Sequence, residues 1–130
     1  MRSWKESKLY SIVTVKCPKC HKGNMFPAGT LYQVTKFDKM YESCPCCNQT
    51  FEPEPGYYYG AMFVSYGITT AIFFAVLAAL SFFVDEITMT MVLLSITGVV
   101  VTLTPIIFRL SRSIWINIFM SYSPEAAQKC

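Results

Sequence analysis

Four of the six cysteines fall in two pairs, Cys17-Pro-Lys-Cys20 and Cys44-Pro-Cys-Cys47, with the spacing C-x2-C-x23-C-x2-C. Two intervening residues let both sulfurs of a pair face one ion while the backbone amides turn toward them. Two such pairs complete a tetrahedral site. Cys17, Cys20, Cys44 and Cys47 are therefore the predicted metal ligands. Four protein ligands leave no coordination position for water, so the predicted role is structural and the predicted ion is Zn2+. Iron is the alternative, because paired Cys-Pro-x-Cys knuckles also hold the single iron of rubredoxin-like electron carriers.

The remaining candidates are weaker. Cys46 lies inside the second knuckle and competes with its neighbours, but the intact C-x2-C of the first knuckle favours Cys44 and Cys47. Cys130 reads as a solvent-exposed free thiol. His21 and Asn48 each follow the last cysteine of a knuckle, where the turn wants a left-handed backbone that Asn, and less often His, accepts. His21 reads as a turn residue rather than a ligand. No Ser-His-Asp set and no plausible pair of catalytic carboxylates accompanies it, so no enzyme is expected.

A unit of this size cannot bury a large core and needs a staple, which a metal supplies. Lys16, Lys19 and Lys22 surround the first knuckle and would offset the negative charge of four thiolates on a divalent ion. Between the knuckles, Thr30 and Gln33 form a T-x-x-Q capping box before Leu31, Val34, Phe37 and Tyr41, which predicts a short amphipathic helix. A zinc-ribbon hairpin is the alternative for this stretch.

The rest of the chain is what must carry the knuckles. Gly60 to Val84 is twenty-five residues without a charge, and Ile87 to Phe108 adds twenty-two more. About 20 apolar residues cross a hydrocarbon core. The predicted fold class is an α-helical membrane protein: a two-helix transmembrane hairpin (helices about 60–84 and 87–108) with a small N-terminal four-cysteine zinc-knuckle domain. The predicted organisation is a cytoplasmic segment at 1–56, the hairpin at 57–108 and a cytoplasmic or interfacial segment at 109–130. Neither run contains Asp, Glu, Lys, Arg or His, which argues against a pump or transporter acting alone.

Eight of the eleven Lys and Arg residues lie at or before Lys39, and none lies between Lys39 and Arg109. Asp85 and Glu86 alone mark the turn between the runs. The positive-inside bias then places both termini in the cytoplasm. There a reducing environment favours metal over disulfides. This asymmetry, with a net charge of only +3, gives no reason to expect nucleic acid as a partner. Arg2, Lys5 and Lys8 are not followed by the apolar run and cleavage site of a secretory leader.

Tyr57, Tyr58 and Tyr59 before the first run and Trp115 after the second suit a headgroup boundary. Gly67, Ala71, Ala75 and Ala79, with Gly98 and Thr102, are the predicted helix–helix contact. Leu110, Ile114, Ile118 and Tyr122 recur every four residues. They fit either a helix lying in the membrane interface or a continuation of the second membrane helix. Pro53, Pro55 and Gly56 form a stiff hinge that should hold the knuckles against the membrane.

The stretches KLYSIVTVKCPKCHKGNMF and CPCCNQTFEPEPGYYYGAMFVSYG, with Arg109, Arg112 and Trp115 in the pattern Arg-x-x-Arg-x-x-Trp, resemble the bacterial family called domain of unknown function 983, in particular its short members from Bacteroidetes-type bacteria. His21 stands where many relatives have Gly. The resemblance implies a cysteine domain followed by two helices in a bacterial inner membrane. It also implies partners among respiratory membrane complexes, because some members are encoded near cytochrome oxidase components. The expected function is thus a non-enzymatic accessory or assembly protein. Its expected partners are the lipid bilayer and other membrane-protein subunits, with self-association as a further option. A membrane-tethered iron electron carrier is the alternative.

Overall fold

The computed structural model describes residues 4–130. Arg2, counted above among the N-terminal cations, lies outside the described residues. Every regular element is helical, and among the described residues there is no strand. A 3-10 turn at Trp4–Glu6 leads into α1, Lys8–Thr14, whose N-terminus is capped by Ser7 Oγ accepting from the Leu9 amide at 3.3 Å. Val15 ends it in the left-handed region at φ 52°. A β-branched residue adopts that conformation only where its surroundings enforce it. Here the amide of Lys16 donates to the Ser11 carbonyl (3.0 Å) and the Ser11 hydroxyl donates back to the Lys16 carbonyl (2.8 Å), turning the chain directly into the first knuckle.

Two long helices follow the knuckles. α2 spans Tyr59–Phe83 and α3 spans Met89–Phe119, packed antiparallel as a hairpin with Asp85 and Glu86 exposed at its tip. Both are long and apolar enough to cross a membrane. α2 is apolar on all sides, yet only Ala61 is buried within the protein. That is the pattern of a helix whose solvent is lipid. Pro105 sits inside α3 without ending it. The hydroxyls of Thr102 and Thr104 turn back onto the Gly98 and Val100 carbonyls (both 2.7 Å), as helix threonines do in an apolar setting.

The structure corrects three expectations. First, α3 does not stop at Phe108; of the two readings for the residues beyond it, the continuation of the second membrane helix is the one built. It runs without a break to Phe119, with Arg109, Ser111, Ser113, Ile116 and Asn117 buried, and of these Arg109, Ser113 and Asn117 bond to the chain before α2. Residues 109–119 are thus neither a separate segment nor a helix resting on lipid; they are the post on which the knuckle unit is mounted. The Ser113 hydroxyl donates to the Ser11 carbonyl (3.3 Å), Asn117 donates to the Ser11 hydroxyl (3.3 Å), and Lys8 donates to the Asn117 carbonyl (3.2 Å).

Second, the small-residue stripe does not make the hairpin contact. Gly67, Ala71, Ala75, Ala79, Gly98 and Thr102 are all exposed. The interhelical contact lies elsewhere, with Ser65 donating to Ser111 at 2.7 Å and the Trp115 ring lying flush on the Gly60 backbone.

Third, the helix predicted between the knuckles does not form, and residues 30–39 make successive turns. Thr30 donates its hydroxyl to the Pro27 carbonyl (2.8 Å) and also accepts from Arg109 (2.8 Å). Arg109 further donates to the Phe37 carbonyl (3.2 Å), and its guanidinium lies 4.8 Å from the Phe26 ring centre. This one side chain fastens the whole loop to α3. Arg109→Ala is expected to cost about 2–4 kcal/mol, because it removes two charge-assisted hydrogen bonds and leaves a partly buried carbonyl unpaired. Thermal unfolding together with faster proteolysis at Lys36 and Lys39 would register the loss.

Candidate metal centre

The Sγ atoms of Cys17, Cys20, Cys44 and Cys47 lie within 4.8 Å of one another. Cys17 and Cys47 are separated by 3.7 Å between sulfurs, and so are Cys20 and Cys44. A tetrahedron with metal–sulfur bonds of about 2.3 Å has edges of about 3.8 Å. The cluster therefore has the dimensions of a four-thiolate cage, and it could bind a metal ion. None of the four cysteines is engaged in a disulfide, and Cys17, Cys20 and Cys44 are buried.

The two knuckles are built alike. The amides of Cys17 and Cys44 donate to the carbonyls of Gly23 (2.8 Å) and Gln49 (2.9 Å), while those of His21 and Asn48 donate to the carbonyls of Cys17 (2.9 Å) and Cys44 (3.0 Å). Closing each turn requires left-handed backbone, and His21 and Asn48 stand at φ 56° and 58°. The turns make only isolated antiparallel bridges, Lys16 to Asn24 and Ser43 to Thr50, so the predicted alternative of a ribbon hairpin is not built either. Met25 and Phe51, both fully buried, form the small floor beneath the sulfurs.

The electrostatics follow from this geometry. Burial pushes the Cys17 and Cys47 thiols up, against the backbone amides that donate to their sulfurs. Burial also acts on Cys20, but the amides of Gly23 and Lys22 point at its sulfur and hold it below the ordinary thiol value. A cage that tends to retain protons on some thiols needs a cation to hold all four as thiolates. The three flanking ammonium groups are tethered nearby rather than free: Lys16 to the Tyr10 hydroxyl (3.3 Å), Lys19 to Gln49 (3.0 Å) and Lys22 to the Ala127 carbonyl (2.8 Å).

His21 stays out of the cage. Its Nδ1 donates to the Lys5 carbonyl (2.7 Å), and its ring packs 4.6 Å from that of Tyr122. Cys46 is not one of the four, although its sulfur lies within 4.8 Å of that of Cys20, and its neighbour is one the sequence concealed. Cys46 and Cys130 are brought together across 84 residues of chain, with Cα atoms 5.3 Å apart, within the span of a disulfide. Cys130 is exposed as expected, but it is not isolated, because Cys46 lies beside it. The short helix α4, Pro124–Gln128, brings it there, with Ala126 and Ala127 buried and the Ser123 amide donating to the Lys19 carbonyl (2.9 Å). No local pattern announces this docking, since Ala126 and Ala127 are too small to mark an apolar face.

The family model described as "Protein of unknown function (DUF983)" matches residues 34–120, from the loop between the knuckles through the end of α3. The chain belongs to this family. The match includes Cys44, Cys47 and both long helices and begins after the first knuckle, so in this DUF983 protein Cys17 and Cys20 enter the site on their spacing and geometry and not on the family match. No curated protein and no solved structure matches the chain.

Proposed function

We propose that this DUF983 protein is a non-enzymatic membrane accessory or assembly factor. Its hairpin crosses the bilayer, and a zinc-fastened knob, carried on the cytoplasmic extension of α3, presents a surface to other membrane-protein subunits. The observation that carries this reading is the mounting of a closed four-cysteine cage on a helix that continues straight from the apolar hairpin. A cage fully occupied by protein sulfur offers a bound ion no position for substrate water and acts as a fastener. The uncovered apolar surface of α2 and α3 needs lipid or other helices around it. The charge asymmetry supports a cytoplasmic knob, with Asp85 and Glu86 on the opposite side. Family resemblance alone suggests a respiratory complex as partner.

Protein purified in mild detergent should contain one zinc per chain, be colourless and bring larger membrane subunits with it. Visible charge-transfer absorption with one iron per chain would replace this reading by an electron carrier. A strictly lone monomer would count against the accessory role. Glu86→Cys should be labelled by a membrane-impermeant maleimide in intact cells. Protection of that cysteine until the cells are opened would invert the proposed orientation.

A further inference from the structure

At the base of the hairpin, beside the knob, a groove of about 810 Å³ opens between α2 and α3. Arg112 lies on one wall with its guanidinium 4.3 Å from the Phe108 ring centre and 4.9 Å from that of Tyr58. Arg109, one turn earlier, spends its donors on the loop carbonyl and hydroxyl. Arg112 differs: among the described residues only the two rings engage it, so its donors remain available at the groove. Glu52 lies on the same groove and is exposed. The groove is thus lined by one cation and one carboxylate.

Below this charged rim the wall changes character. Met62, Tyr66 and Thr69 follow one another at spacings of four and three residues, on one face of α2. Met62 and Tyr66 are widely exposed. From Tyr59 to Thr69 the helix rises about 15 Å, half of a hydrocarbon core of roughly 30 Å. A polar rim of both signs above an apolar trough one leaflet deep has the chemistry of a zwitterionic phospholipid in cross-section.

We infer that this groove is a site for one phosphatidylethanolamine molecule. The phosphate is received by Arg112, the primary ammonium by Glu52, and an acyl chain lies along Met62, Tyr66 and Thr69. Contact with two rings holds the guanidinium at the groove, and its planar fork suits a paired contact with phosphate oxygens. The carboxylate on the same groove selects a headgroup that ends in N–H donors. It disfavours phosphatidylglycerol, which brings a negative charge without a cation, and phosphatidylcholine, whose quaternary nitrogen donates nothing. This inference rests on the proposed insertion of the hairpin in a bilayer.

Native mass spectrometry of the full chain in detergent, titrated separately with phosphatidylethanolamine, phosphatidylglycerol and phosphatidylcholine, tests it. The expected result is a single saturable phosphatidylethanolamine adduct, several-fold tighter than either of the others. Arg112→Gln should weaken it about tenfold, with Arg112→Lys recovering part of the loss. Glu52→Gln should abolish the preference over phosphatidylglycerol while retaining binding. A melting curve and metal content matching the unmodified protein show that each variant is folded. Equal adducts with all three lipids, insensitivity to Arg112→Gln, an equally Arg112-dependent adduct with inorganic phosphate, or a dimer without lipid would each overturn the assignment. Alkaline washing of membranes reports insertion separately: a chain that washes off refutes the bilayer reading itself, whereas one that stays and shows no selective adduct refutes only the lipid site.

Discussion

Replacing Cys44 by Ser is expected to empty the four-sulfur cage and unfold residues 16–52 while leaving α2 and the outer part of α3 helical. The reason is the smallness of what surrounds the sulfurs. Among the described residues the knuckle unit has no strand or helix of its own, only paired turns and two isolated bridges over Met25 and Phe51. Such a unit cannot offset the conformational entropy of its loops by burial. In small zinc-fastened domains the metal supplies roughly 10–16 kcal/mol of apparent free energy that is in effect folding free energy. A serine oxygen is a far poorer ligand than a thiolate for a soft site, so most of that contribution is lost. Bound metal should fall from one equivalent to about a tenth or less, and trypsin should reach Lys36 and Lys39 quickly. Gly23→Ala should push in the same direction without touching a ligand, because a Cβ there would overlap the Cys44 sulfur. Full metal content and unchanged protease resistance in Cys44→Ser would remove the metal from its place in the fold.

What could be read from the sequence divides along the range of the interactions involved. The two knuckles and the two apolar runs are local signals, because each follows from residues a few positions apart. The left-handed turns at His21 and Asn48 belong with them. The expectations that failed depended on partners far away in sequence. Thr30 and Gln33 have the composition of a helix start, but Arg109 arrives 79 residues later, accepts no helix there and binds Thr30 and the Phe37 carbonyl in their turn conformation. The apolar series then splits: Phe37 packs edge-on against Phe108, with ring centres 5.6 Å apart, while Val34 is left in the open. Likewise the residues after Phe108 leave an interfacial helix and a continuation of the second membrane helix both open, and the structure builds the continuation. The buried Ser113 and Asn117 become legible only once α1 is seen to cover them.

Gly67, Ala71, Ala75 and Ala79 show the same limit from the other side. Spacing can identify a face on which a backbone could approach closely, but it cannot choose which glycine is used. The structure uses Gly60, outside that stripe, because Trp115 is the side chain that α3 presents at the base of the hairpin.

Gly60→Ala is accordingly expected to lower stability by about 2–4 kcal/mol, a large effect for one methyl group at the end of a helix. An alanine in place of glycine would ordinarily help a helix by up to about 1 kcal/mol. Here its Cβ would overlap the six-membered ring of Trp115, and rigid ring atoms cannot yield as a flexible chain end can. The indole must then move. It would give up its Nε1–H donation to the Tyr57 carbonyl (2.8 Å) and its edge contact with Phe119, whose ring centre lies 5.0 Å away. The helix start and the post that carries the knob are thereby pried apart at one point. Trp115→Leu removes the obstructing ring, so the double variant should be less destabilised than the sum of the two single ones, by 1 kcal/mol or more on the order of typical contact couplings. Chemical unfolding in detergent followed by circular dichroism measures all four corners of that cycle. Simple additivity, or a stabilising Gly60→Ala, would mean that the hairpin base is not closed by this ring-on-backbone contact.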